Sequence, residues 1–275
     1  GFVRVDGDPK SFQGINLRSP DEQYGQGRAG KKGWGILSIG KRIYLWLGHA
    51  DQRGGMAQLA WSDDHAKTWT FADWKFAEFG LVGFVNFGRA YADSRDDYVY
   101  SYSHDGPLAD TPADGFVLMR APKDQLTQRD AWEFFQRLDA SGQPTWSLEI
   151  ETRGHVVHRV GSSLRSGMTF NAGINRYLWW QQIPLPSGSA DRGDTRFQGG
   201  FLVLDAPEPW GPWTVAYQTE RWDVGPGEHG DFPAKWISSD GQIVHLVFSG
   251  DDSFCVRRAE LKLRETEIEP KIEED

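Results

Sequence analysis

Apolar positions in this chain fall in short runs bounded by Gly, Asp or Pro, and the runs come in a repeating order. One kind, an apolar stretch led in by a polar or Gly turn, occupies 42–48, 97–103, 176–182 and 242–248. A second kind follows each of these, at 57–62, 115–120, 200–205 and 254–259, and a third precedes each, at 33–38, 82–87, 166–171 and 232–237. Trp-containing segments at 68–70, 131–133 and 212–214 close several of the units. β-Branched and aromatic residues dominate the runs, the composition of strands that fit a pleated, half-buried surface. The recurring unit is therefore a four-stranded antiparallel meander, with a period of roughly 50–80 residues once loop insertions are allowed.

Four-stranded units in series predict an all-β fold, a β-propeller whose blades pack face to face round a channel. A large β-sandwich also has many short strands, but the constant order of strand types favours the propeller. Residues 1–5 match the third strand of a unit and 11–15 an outer edge, so about five blades are expected, the N-terminal one incomplete. A missing inner strand would remove side chains from the channel wall. Residues 1–263 read as a single domain and 264–275 as a charged tail that frays.

Composition sharpens this picture. The 275 residues include 13 Trp and 32 Gly, which fits short strands joined by tight turns, with flat side chains between sheets or in a cleft. The formal net charge of −9 disfavours nucleic acid as a partner. Cys255 is the only cysteine, so no intramolecular disulfide forms. No run reaches the length of a membrane-spanning helix, and no membrane insertion is expected. The chain opens on Gly-Phe-Val-Arg-Val without a signal peptide; a removed leader would imply a secreted or periplasmic protein. No phosphate loop, dinucleotide fingerprint or Gly-x-Ser-x-Gly elbow occurs, so no cofactor is expected. The sequence sets no oligomeric state.

Ser62-Asp-Asp-His-Ala-Lys-Thr-Trp69 reads as an Asp-box, a Ser-x-Asp-x-Gly-x-Thr-Trp hairpin, with Ala66 where Gly is usual. Its logic is a turn held by the Asp64 carboxylate on backbone amides, with Trp69 beneath. Further segments are Asn86-Phe-Gly-Arg-Ala-Tyr91 leading to Arg95-Asp-Asp-Tyr98, Asp205-Ala-Pro-Glu-Pro-Trp-Gly-Pro-Trp213, and Trp222-Asp-Val-Gly-Pro-Gly-Glu228 leading to Phe248-Ser-Gly-Asp-Asp-Ser253. Together they resemble an uncharacterised group of bacterial sialidase-like propellers. That group is similar at a distance to arabinan-cleaving glycoside hydrolases and, in fold, to propeller polysaccharide lyases. The resemblance covers nearly the whole chain and implies a carbohydrate substrate. The three arginines and the Tyr–Glu pair of true sialidases are not assembled here.

In a propeller, the inner strands and the loops at one mouth line the channel. The inner strands offer Trp34, Asn86, Arg165, Asn171 and Lys235, and the ends of the next strands offer His49 with Asp51, His104 with Asp105, Gln181, and Asp251 with Asp252. Glycoside hydrolysis needs two carboxyl groups facing each other across the bond. Glu228, Asp251, Asp252 and Asp51 are the candidates, although Asp in such turns also serves as a turn cap. Elimination from a uronate needs a base and a cation instead, for which His104 beside Tyr102, with Arg165 or Lys235, qualifies. His155 and His158 lack the i, i+4 helical spacing of a zinc protease, and no metal site is expected. Of the adjacent Trp179 and Trp180, one is expected in the core and the other free to stack on a sugar. The expected function is glycoside hydrolysis of an oligo- or polysaccharide at the mouth. Glu228, Asp251, His104 and Arg165 are the expected catalytic residues. Trp34, His49, Asp51, Tyr102, Asn171, Gln181, Lys235 and Asp252 are the expected substrate contacts. A uronate-directed lyase and a non-catalytic glycan-binding propeller are the alternatives.

Overall fold

The computed structural model describes residues 2–17, 31–185 and 196–264, in which every regular element is a strand or a short 3-10 turn. β1 (Phe2–Asp6) and β2 (Gln13–Leu17) form a hairpin. β3 (Lys32–Ile39), β4 (Arg42–Gly48), β5 (Gln58–Ser62) and β6 (Thr70–Phe71) make the first four-stranded meander. The second comprises β7 (Val82–Asn86), β8 (Tyr98–His104), β9 (Ala113–Pro122), β10 (Glu133–Leu138) and β11 (Pro144–Ser147). β9 is long enough to serve two partners: its second half pairs with β10, its first with β12 (His155–Ser163). The third is β13 (Ser166–Asn171), β14 (Arg176–Ile183), β15 (Gly200–Ala206) and β16 (Thr214–Thr219). The last is β17 (Gly230–Asp231), β18 (Ile243–Phe248) and β19 (Cys255–Glu260).

The first strands of successive meanders meet around a common axis. β7 and β13 pair in parallel, with Met168 opposite Val85 and Thr169 opposite Asn86. Glycines permit this approach: a Cβ on Gly35 of β3 would stand 2.9 Å from the Cα of Gly83 on β7, and one on Gly167 of β13 would meet the backbone of Gly230. The ring of Trp34 on β3 lies 5.9 Å from that of His229, the residue before β17. Antiparallel meanders arranged in this way make a β-propeller.

Most of the tryptophan is spent between sheets. Trp46, Trp132, Trp179 and Trp180 are fully buried. Removing about 200 Å² of such a ring from water contributes roughly 5 kcal/mol at ~25 cal/mol per Å². The expectation that Trp179 or Trp180 would be free for a sugar is corrected. Trp179 packs on Tyr102, Phe116 and Trp213, while Trp180 covers Gly230 and Phe201. The two opposite faces of β14 are both interior, because a sheet lies on either side of it.

The strand runs over β4, β5, β8, β13, β14, β15, β18 and β19 stand where the hydrophobic pattern puts them, within a residue or two. The expected inner strand at 232–237 does not form. β17 ends at Asp231, and residues 234–236 make a 3-10 turn closed by the Trp236 N–H on the Pro233 carbonyl at 2.9 Å. Pro233 has no N–H to give a ladder and fixes its own φ, so the strand stops before it. β12 carries too much polar sequence for its run to stand out. The charged segment 265–275 lies outside the described residues.

Candidate functional site

Each meander starts at the axis and its second strand returns antiparallel, so the starts of first strands and the ends of second strands share one end of the channel. That end gathers Trp34, His49, Asp51, His104, Asp105, Arg165, Gln181, Glu228 and Asp251.

Arg165, immediately before β13, is the centre of the cluster. Its side chain is only 6% exposed, and Nη2 donates to Oδ1 of Asp110 at 2.9 Å. Nε and Nη1 are buried and have no partner among the described residues. Asp110 is itself 59% exposed, and its other oxygen lies 3.6 Å from Nε2 of His49. It sits in the loop between β8 and β9. Long-range backbone bonds hold that loop, from Gly80 N–H to the Gly106 carbonyl and from Ala109 N–H to the Gly54 carbonyl, both 2.8 Å. No spacing in the sequence marks Asp110, because its place depends on those contacts. Sequence reasoning also missed His229 and Asp231. Burial pulls the His229 imidazole below its ordinary pKa, against the pull of Asp231 and with the help of Arg165. Asp231 accepts a hydrogen bond from the Thr169 hydroxyl at 2.6 Å and from its neighbour's N–H, Phe232, at 2.7 Å.

Glu228 is about one-third exposed and its carboxylate lies 3.8 Å from Nη1 of Arg196. Its backbone N–H donates to Ser249 Oγ at 2.7 Å, which ties the Gly-Pro-Gly loop to the end of β18. Asp251 is exposed at the rim, with Oδ1 accepting the Gly225 N–H at 3.3 Å. Asp252 closes the same 3-10 turn, and its side chain lies outside what the structure describes. Asp51 accepts the N–H groups of Arg53 and Gly55 at 2.8 and 2.9 Å, bonds that hold its carboxyl below the usual range and mark it as a turn cap. Gln181 is buried and accepts from Nη1 of Arg159 at 3.3 Å.

Four expected site residues stand elsewhere or point elsewhere. His104 is enclosed rather than presented: Nε2 is 2.9 Å from the Leu108 carbonyl, and burial pushes its pKa down. Tyr102 is buried, its hydroxyl donating to the Ser166 carbonyl at 3.0 Å and accepting the Met168 N–H at 3.2 Å. Asn171 ends β13 at the opposite end of the channel, where its amide donates to the Gly241 carbonyl at 2.8 Å. Lys235 lies in the 3-10 turn that replaces the expected strand, with Nζ bonded to the carbonyl of Val5 on β1.

A second polar group lies beside the mouth. Asp105 binds Arg153 through Oδ1 and His155 through Oδ2, each at 2.8 Å, and the His155 and His158 rings stack at 5.6 Å. Among the described residues no group of three or more His, Cys, Asp or Glu is placed to hold a metal ion. Trp34 also borders a 460 Å³ cleft on the first meander, with Lys31, Ile36, Trp69 and Phe71.

No protein-family model matches the sequence, and no curated protein is similar to it. Among solved structures, the chain is similar to the RS223-β-xylosidase at 16% identity, with a TM-score of 0.48 over 86% of this chain and 72% of that one. It is also similar to the Trypanosoma rangeli sialidase in complex with the inhibitor DANA, at 11% identity and a TM-score of 0.47, covering 82% of this chain and 30% of the sialidase. A GH43_1 enzyme from Xanthomonas citri gives 15% identity and a TM-score of 0.43 over 83% and 68% of the two chains.

Proposed function

We propose that this protein is a carbohydrate-active enzyme that hydrolyses glycosidic bonds at the Arg165 end of the channel. The observation that carries the reading is that two accessible carboxylates, Asp110 and Glu228, stand at the same end of the channel. Asp110 is hydrogen-bonded to a buried guanidinium and adjoins His49, while Glu228 stands near Arg196 on a tethered loop. Hydrolysis needs two carboxyl groups, one as acid and the other as base or nucleophile. Asp110, which accepts from Arg165, takes the role of base or nucleophile, and Glu228 that of acid. Trp34 offers a half-buried aromatic edge beside His229 for a sugar ring. Asp251 contributes at the rim.

A uronate lyase is the second reading. It is favoured by the Arg165 cation and the His49 imidazole, which both face Asp110 and would supply the cation and the base that elimination needs. The deciding experiment is mass spectrometry of products from a panel of plant, algal and bacterial glycans. Products heavier by one water support hydrolysis, and unsaturated products without it replace that reading with elimination. Glycan binding without any product overturns both in favour of a binding module. In the hydrolytic case, Asp110→Asn and Glu228→Gln each lower turnover by about 10²–10⁴.

A further inference from the structure

A separate groove of 370 Å³ lies between β12 of the second meander and β15–β16 of the third, bordered by Trp210, Trp213, Arg159, His158, Val215 and Gln218. Its size is within the range of small-ligand sites, about 300–1,000 Å³. The lining joins aromatic and aliphatic surface to very few polar groups. Trp213 packs on Trp179 at 4.9 Å and also borders the groove, so its ring is held in place from behind. Val215 stays 57% exposed on the groove's lip.

Arg159 is the unusual member. Its side chain is half-buried, yet among the described residues its one hydrogen bond is to a neutral amide, Gln181 Oε1 at 3.3 Å. Among the described residues no carboxylate lies within ion-pair distance of it. Desolvation by burial pulls its pKa down. Two other arginines of the second meander are paired, Arg120 with Glu133 and Arg153 with Asp105. A planar guanidinium with free donors beside aromatic rings fits a carboxylate-bearing ring.

We infer that this groove is a second glycan-binding site, distinct from the mouth, that holds a hexuronate unit by its carboxylate on Arg159 and its ring against Trp210 and Trp213. The inference rests on the reading of the protein as glycan-active, and it adds a site that does no chemistry. Gln181 touches Arg159 through its side chain and pairs across β13–β14 with Ser166, the residue after Arg165. A chain seated in the groove therefore lies one strand away from the mouth.

The test is calorimetric titration of the whole protein with trigalacturonate and, as a neutral control, galactotriose. Asp110→Asn is used as the background so that turnover does not consume the ligand. The acidic trisaccharide should bind, and Arg159→Gln should weaken it by about tenfold or more. Gln218→Glu changes an exposed residue and sets a carboxylate at the groove, so it should weaken trigalacturonate while preserving the fold. Equal affinity for galactotriose, or trigalacturonate binding untouched by both variants, overturns the groove while leaving the glycan reading intact. No binding of trigalacturonate overturns the groove as well. A glycan panel that is neither bound nor cleaved sinks the glycan reading itself.

Discussion

The ring of Tyr102 on β8 crosses directly over Gly83 on β7, the strand that separates it from β13. A Cβ at position 83 would collide with the phenol ring. Because Gly83 has no side chain, the hydroxyl reaches past one inner strand and bonds the backbone of the next at Ser166 and Met168. One side chain thus couples the second and third meanders at the channel wall. Tyr102→Phe should cost about 1–3 kcal/mol, the penalty of two buried backbone groups losing their partner. Gly83→Ala should cost about 1–3 kcal/mol or more through overpacking. Urea denaturation measures both, and an unchanged midpoint for Tyr102→Phe would remove the hydroxyl from this account.

The Arg165–Asp110 pair predicts a split between stability and activity. Asp110→Asn leaves the guanidinium without its counter-charge, but Asp110 is more than half exposed and solvent screens the loss, so the cost should be about 1 kcal/mol. The double change Asp110→Asn with Arg165→Met should recover that stability, since no charge is then stranded, and should not recover turnover. Stability that keeps falling in the double variant would contradict the pairing as the source of the loss.

Stability should also fall as the solution is acidified. His104 and His229 both have pKa values pushed below the ordinary 6.5 by burial, so the folded protein resists protonating them while the unfolded chain does not. The unfolded state therefore binds more protons below that value, and stability is lost as pH drops from 6.5 toward the depressed folded values. The carboxylates held low by hydrogen bonds, Asp51 and Asp139 among them, lose their contribution only at more acid pH. Imidazole proton resonances followed through a pH titration should show these two histidines titrating below 6.5. Titration of both at 6.5 or above would contradict burial as the controlling influence.

Ala66 invites a stabilising change. It holds φ of 66° in the turn that Asp64 closes on Lys67 N–H, Thr68 N–H and the Thr68 hydroxyl. A left-handed conformation costs an L-residue roughly 1–2 kcal/mol, and glycine escapes that cost while adding some unfolded-state entropy. Ala66→Gly should therefore raise stability by about 1 kcal/mol or less, read as a higher urea midpoint. A lower midpoint would mean that burial of the Ala66 methyl outweighs the backbone term.

Much of this fold is legible in the sequence. The order of runs gave the meanders, since strand alternation and Gly-bounded turns are local properties. The Ser62–Trp69 turn could be read the same way, because Ser62 and Asp64 bind amides only a few residues away. Arg165 is legible as a cation immediately before an inner strand. The strand expected at 232–237 failed where Pro233 broke the ladder, a rule that the apolar pattern around it concealed.

What the tertiary structure alone decided was which polar residues share space. Asp110 joined Arg165 across 55 residues because backbone bonds to Gly54 and Gly80 carry its loop there. Tyr102, an expected substrate contact, and His104, an expected catalytic residue, lie in the interior because neighbouring sheets cover them. Asn171 and Lys235 fell at the far end or off the strand, and only topology distinguishes one end of a strand from the other. Local pattern fixes an element and its apolar faces. Long-range backbone pairing fixes where its polar ends meet, and a site made of such ends takes shape only when the whole ring packs.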